Sequence, residues 1–115
     1  ATPVFKTLYE DTIVKGWVVV TGAATPAIAD DVNVSSIVDD GVGLFTVNWA
    51  TAFSSVNYAI SGSGKRGDAG THQCFVELRA VASNPAVGSV QIRTGDLVGT
   101  ATDMEIWSIM AIGNN

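Results

Sequence analysis

Short runs in which apolar and polar residues take turns are the feature that most limits what this chain can fold into. Side chains along a strand point to opposite faces in turn, so a period of two marks a strand with one side against a core. Between Leu44 and Ala50, Phe45, Val47 and Trp49 fall on one face and Thr46 and Asn48 on the other. Gly88 to Thr94 sets Val90 and Ile92 against Gln91 and Arg93, and Val32 to Ile37 alternates Val32 and Val34 with Asn33 and Ser35. Val56 to Ile60 aligns Val56, Tyr58 and Ile60, while Gln73 to Ala82 places Cys74, Val76, Leu78 and Ala80 opposite Glu77 and Arg79. Ile13 to Val20 is apolar nearly throughout, which predicts a strand covered on both sides.

The run from Asp103 to Ile112 is apolar on both faces. Met104, Ile106, Met110 and Ile112 share one, and Trp107, Ile109 and Ala111 share the other. One face belongs to the domain core. The other belongs either to a subunit interface or to a covering loop of the same chain. Trp107, Ile109 and, from the first apolar run, Trp17 are the candidate interface residues.

Turn residues separate the runs. Asp39-Asp40-Gly41-Val42-Gly43 reads as a hairpin turn, Ser61 to Gly70 as a flexible polar loop, and Asn84-Pro85 as a break. Pro3, Pro26 and Pro85 all stand outside the alternating runs, as strands require. Gly22 to Asp31 holds either a helical turn or a loop crossing between sheets. The expected fold is all-β: an antiparallel β-sandwich, jelly-roll-like, of about seven to eight strands, with a barrel as the alternative. Residues 1–12 alternate less clearly and read as an N-terminal arm or linker, leaving 13–115 as one sandwich domain.

A chain of 115 residues suits one domain, and at 47% hydrophobic and 15% charged it is too apolar for disorder. The low charge also suggests that part of the apolar surplus is covered by partner subunits. A net charge of −5 repels phosphate backbones, which argues against nucleic acid as a partner. No stretch reaches the roughly 20 apolar residues of a membrane helix, so membrane insertion is not expected. The opening residues lack a charged region followed by an apolar one, so no secretory signal is visible. One cysteine, Cys74, rules out an internal disulfide and a multi-cysteine zinc site, and it reads as a small buried apolar residue.

Catalytic chemistry finds little to stand on. His72 is the single histidine, and no Gly-x-Ser-x-Gly elbow accompanies it. Glu10/Asp11, Asp30/Asp31 and Asp39/Asp40 are adjacent carboxylates, but turns favour Asp for local hydrogen bonds. None fits a calcium loop, and Gly62-Ser63-Gly64-Lys65 lacks the spacing of a phosphate-binding loop. No enzyme activity, cofactor or metal is therefore expected. Trp17, Trp49, Trp107, Tyr9 and Tyr58 supply aromatic surface for a sugar or protein partner, although Trp49 and Tyr58 read better as core.

Several of these pieces together resemble a domain of tailed-phage fibre proteins. They are Lys15-Gly16-Trp17-Val18-Val19-Val20, Gly22, Thr25-Pro26-Ala27-Ile28 and Asn33-Val34-Ser35-Ser36-Ile37. Asp39-Asp40-Gly41-Val42-Gly43-Leu44-Phe45-Thr46-Val47-Asn48-Trp49, Asn57-Tyr58-Ala59-Ile60 and Ser89 to Gly95 continue the order. The resemblance covers residues 15 to 95. Phe45 stands where that pattern has tyrosine, Trp49 where it has phenylalanine and Gly16 where it has alanine. It implies a virion-surface module, a fibre tip or head-decoration protein, assembled in the host cytoplasm. Such a module is usually a homotrimer, touching other virion proteins and a host-surface polysaccharide or protein. Loops 62–70 and 84–87 would then be the exposed contact segments, with Lys65, Arg66, Asp68, His72 and Asn84 as candidate ligand-binding residues. The competing readings are a carbohydrate-binding module of a larger enzyme and, last, a polysaccharide depolymerase.

Overall fold

The computed structural model describes residues 14–22, 25–66, 74–96 and 101–113. Eight strands follow one another: β1 (Val14–Thr21), β2 (Ala27–Val32), β3 (Val34–Gly41), β4 (Leu44–Trp49), β5 (Ala59–Lys65), β6 (Cys74–Leu78), β7 (Ser89–Asp96) and β8 (Ile106–Ile112). Their hydrogen bonds divide them into two four-stranded sheets, ordered β2-β1-β8-β5 and β3-β4-β7-β6, with every pairing antiparallel. The fold is the expected antiparallel sandwich and is not closed into a barrel. The arm proposed at 1–12 lies outside the described residues.

Alternation places the core between the layers. Val18 and Val20 of β1 and Trp107, Ile109 and Ala111 of β8 face inward from the first sheet. Phe45, Val47 and Trp49 of β4 and Val90 and Ile92 of β7 meet them from the second. The indole of Trp107 tilts against Phe45 with ring centroids 4.9 Å apart. Phe53 and Tyr58, from the β4–β5 connection, stack at 4.1 Å and receive the edge of Trp49. Thr94 is the buried polar side chain among these, and its hydroxyl donates to the Thr102 carbonyl at 2.6 Å.

Two of the expected segments are corrected. The Ser61 to Gly70 loop is strand through Lys65, since β5 runs over Ala59–Lys65, and the Val56 to Ile60 strand gives way to irregular chain until Ala59. Glycine weakens a strand in general, but here its lack of a side chain lets the sheets meet. A Cβ on Gly62 would stand 3.0 Å from Cγ1 of Val76, and one on Gly64 3.3 Å from Cγ2 of the same residue. The edges β5 and β6 close the sandwich on that side. The second correction concerns Gly22 to Asp31 and Val32 to Ile37, where β2 and β3 are separated by Asn33 alone. Asn33 turns the chain from one sheet to the other with φ of 58°, a left-handed value that asparagine tolerates. Its side chain fixes the corner, accepting from the Thr51 N–H at 2.7 Å and donating to the Thr51 carbonyl at 3.0 Å.

Candidate functional site

The outward faces of the two sheets differ in chemistry. On the sheet containing β4 and β7, the outward side chains between the buried ones are Thr46, Asn48, Gln91 and Arg93. Arg93 pairs with Glu77 of β6 at 3.1 Å and lies over the ring of Phe75, 5.1 Å from its centroid. That face is mostly polar, with Val38 of β3 beside Thr46 as its exposed apolar member.

The other sheet carries exposed apolar side chains outside as well as buried ones inside. Trp17 and Val19 of β1 alternate with the buried Gly16, Val18 and Val20 and so point outward. Met110 and Ile112 of β8 alternate with Ile109 and Ala111 and are 45% and 36% exposed. The register sets these residues in rows across the strands. Val32 stands beside Trp17, Trp17 beside Met110, and Met110 beside Ser61. The next row runs Asp30, Val19, Ser108, Ser63, with the two serine hydroxyls 3.4 Å apart. Together they form a shallow groove of about 480 Å³, lined by Trp17 and Val19 of β1, Ser108 and Met110 of β8, and Ser61 and Ser63 of β5.

The expected interface residues separate on this geometry. Trp17 lies on the outward face, as a contact residue must. Trp107 and Ile109 do not: each is 2% exposed and faces the core of its own chain. Both faces of β8 are apolar, as its sequence requires, but the outer one is carried by Met110 and Ile112.

The loop candidates are scattered. Lys65 ends β5, and its exposed ammonium lies 3.7 Å from Glu105. Arg66 follows, half-buried. Asp68 and His72 lie outside the described residues. Asn84 is committed to the architecture of its own loop. Its amide N–H groups donate to the carbonyls of Arg79 at 2.8 Å and Gln91 at 2.9 Å, and its Oδ1 accepts from the Gln91 N–H at 2.9 Å. A second groove of about 580 Å³ passes this loop, between Val56-Asn57 and Ser83 to Val87. Of the described candidates, Lys65 and Arg66 therefore stand at the end of β5 and Asn84 in the loop before β7.

Among the described residues, the titratable group that the fold perturbs is Tyr58. Burial pushes its phenol above the ordinary value of 10.0, and the hydrogen bond from Trp49 opposes this. Its hydroxyl sits 2.6 Å from the Ala86 carbonyl and 3.0 Å from that of Ser89, anchoring the far loop to the core. Among the described residues, no group of three or more His, Cys, Asp and Glu gathers where a metal ion could be held. Compared with family models, curated proteins and solved structures, the chain finds no match.

Proposed function

We propose that this chain is a structural module of a virion surface, a phage fibre tip or head-decoration domain that works as a homotrimer without catalysis of its own. One observation carries the reading: the outer face of β1 and β8 is apolar, holds Trp17 and Met110, and is covered by nothing in its own described chain. A domain that spends its largest side chains on both sides of one sheet is built to be one layer of a larger body. The ordered resemblance over residues 15 to 95 supports a fibre or decoration setting, and the loops at the ends of the sandwich would face a host-surface polysaccharide or protein.

Sedimentation velocity on the intact chain tests this. The expected species is a trimer at micromolar concentration. A monomer that persists to about 100 μM, far above the range of stable complexes, overturns the proposal.

The carbohydrate-binding reading keeps one specific observation in its favour. The Trp17 indole and three serine hydroxyls share a groove, the pairing of flat apolar surface and hydrogen-bonding groups that a sugar ring fits. A monomer that binds an oligosaccharide, and loses it on Trp17→Ala, would establish that alternative.

A further inference from the structure

The two sheets end in four edge strands, and three of these carry features that discourage a further strand. β2 bears Asp30 and Asp31, and its register with β1 skips Ala29. β3 bears Asp39 and Asp40 and breaks register with β4 twice. β6 has five residues, among them Glu77. Charge, bulges and brevity are the usual guards of an edge. β5 lacks them from Ala59 to Gly64. Its register with β8 runs unbroken, it holds no proline, and its first charge is Lys65 at the end.

The backbone of β5 also has unmet capacity. A Cβ on Gly62 would stand 2.7 Å from the Ser108 carbonyl oxygen, so that carbonyl points toward β5, where Ser63 stands opposite Ser108. Backbone groups alternate in direction along a strand, so Ser61 and Ser63 bond to β8 while Ile60, Gly62 and Gly64 turn theirs to the open edge. The Gly64 carbonyl accepts the Cys74 thiol at 3.1 Å. Among the described residues, nothing meets the edge-facing N–H and C=O groups of Ile60 and Gly62. Gly62 is exposed, and with no side chain what it exposes is backbone.

We propose that residues 4–9 of the same chain bind this edge as a further strand, antiparallel to β5. Val4-Phe5-Lys6-Thr7-Leu8-Tyr9 lies outside the described residues. It is rich in strand-favouring types, and Pro3 precedes it, where the start of a strand tolerates proline. Direction and reach both fit. Val14, Ile112 and Ala59 form one row at an end of the sheet. A segment running along the β5 edge toward that row travels opposite to β5 and arrives beside Ala59. From there to Val14 is three strand spacings, about 14 Å. The five steps from Tyr9 to Val14 span up to about 17 Å when extended. So short a tether holds the segment at an effective concentration on the order of millimolar, which favours its own edge over a neighbour's.

Nuclear magnetic resonance on the full chain tests the placement. Amide-to-amide Overhauser contacts should join residues 4–9 to Ile60 and Gly62. Thr7→Pro combined with Leu8→Pro removes a ladder donor whichever parity faces β5. It should speed hydrogen exchange at Ile60 and Gly62 by about tenfold or more. Ser61 and Ser63, which bond to β8, should keep their rates. Absence of those contacts in the wild type overturns the placement, and so does unchanged exchange at Ile60 and Gly62 in the variant. If Ser61 and Ser63 quicken equally, the variant has loosened the whole sheet, and the wild-type contacts alone decide. In a mixture of isotope-labelled and unlabelled copies, contacts between the two kinds of chain would put the strand on a neighbouring copy, which overturns its placement on its own edge. None of these outcomes bears on the trimer reading, which sedimentation decides.

Discussion

The ring of Trp49 rests on Gly16, so closely that a Cβ added to the glycine would stand 2.7 Å from Cζ3. Gly16 belongs to β1 and Trp49 to β4, so this contact joins the two sheets and sets their separation at one end.

Gly16→Ala should therefore destabilise the domain by about 1–3 kcal/mol, the usual cost of overpacking. Trp49→Phe alone should also destabilise, because it removes ring volume and the N–H that donates to Tyr58 at 3.2 Å. Combined, the two should cost less than their sum, because the smaller ring admits the methyl. Urea denaturation of the four proteins in a double-mutant cycle gives the coupling. Additive losses would remove the steric explanation.

Alkaline stability should be governed by Tyr58. Above about pH 10 an unfolded tyrosine loses its proton, while the buried one keeps it because its pKa is raised. The folded state then binds more protons than the unfolded one, so stability is fully present below pH 10 and falls as pH rises toward the folded value. Tyr58→Phe should have a lower urea midpoint at pH 7 but a flatter decline between pH 9 and 11. Parallel pH profiles for the two proteins would contradict this.

Asn84 and Lys65 should part company on substitution. Asn84→Ala strips three hydrogen bonds from a half-buried loop, and should cost about 1–3 kcal/mol because the freed backbone groups stay out of water. The Gln91 amide should exchange its hydrogen faster. Lys65→Ala breaks an exposed ion pair and should move the midpoint by no more than about 0.5 kcal/mol. Equal effects would mean that the Asn84 contacts do not hold the loop.

Neighbouring positions on β5 should differ just as sharply. Gly62→Ala drives a methyl to 3.0 Å from Cγ1 of Val76 in the facing sheet, and to 2.7 Å from the Ser108 carbonyl oxygen of its own, and should lower the melting temperature by several degrees. Ser63→Ala, on the exposed face, should leave it nearly unchanged. A tolerated Gly62→Ala would show that the two sheets are not held together at this edge.

The strands that sequence alone located are those whose two faces differ. β4 and β7 present large apolar side chains inward and polar ones outward, and period two places them within a residue or two. β5 escaped because its inward face is Ile60, Gly62 and Gly64. The alternation is intact, but two of its apolar members have shrunk to nothing to admit Val76. β2 escaped for the opposite reason: as an edge strand with Asp30 and Asp31, it presents little apolar residue to count. For β8 the pattern establishes that both faces are apolar without saying which is inside, and Trp107 and Ile109, candidates for the outer layer by sequence, lie in the core. The groove itself is a product of register. Trp17, Met110 and Ser61 are neighbours only because β1, β8 and β5 align across the sheet, and no local pattern encodes that.

The pairing of β1 with β8 has a consequence during synthesis. The first and last of the described strands occupy the middle of their sheet, with Val20 beside Trp107. While the ribosome is still making the C-terminal third, β1 has only β2 for company, and its other flank is an open template. Contacts this distant in the chain form slowly. A nascent chain in that state is therefore most exposed to trading its final strand with a sibling on the same message, and a domain-swapped pair is the misassembly that its cells must outrun.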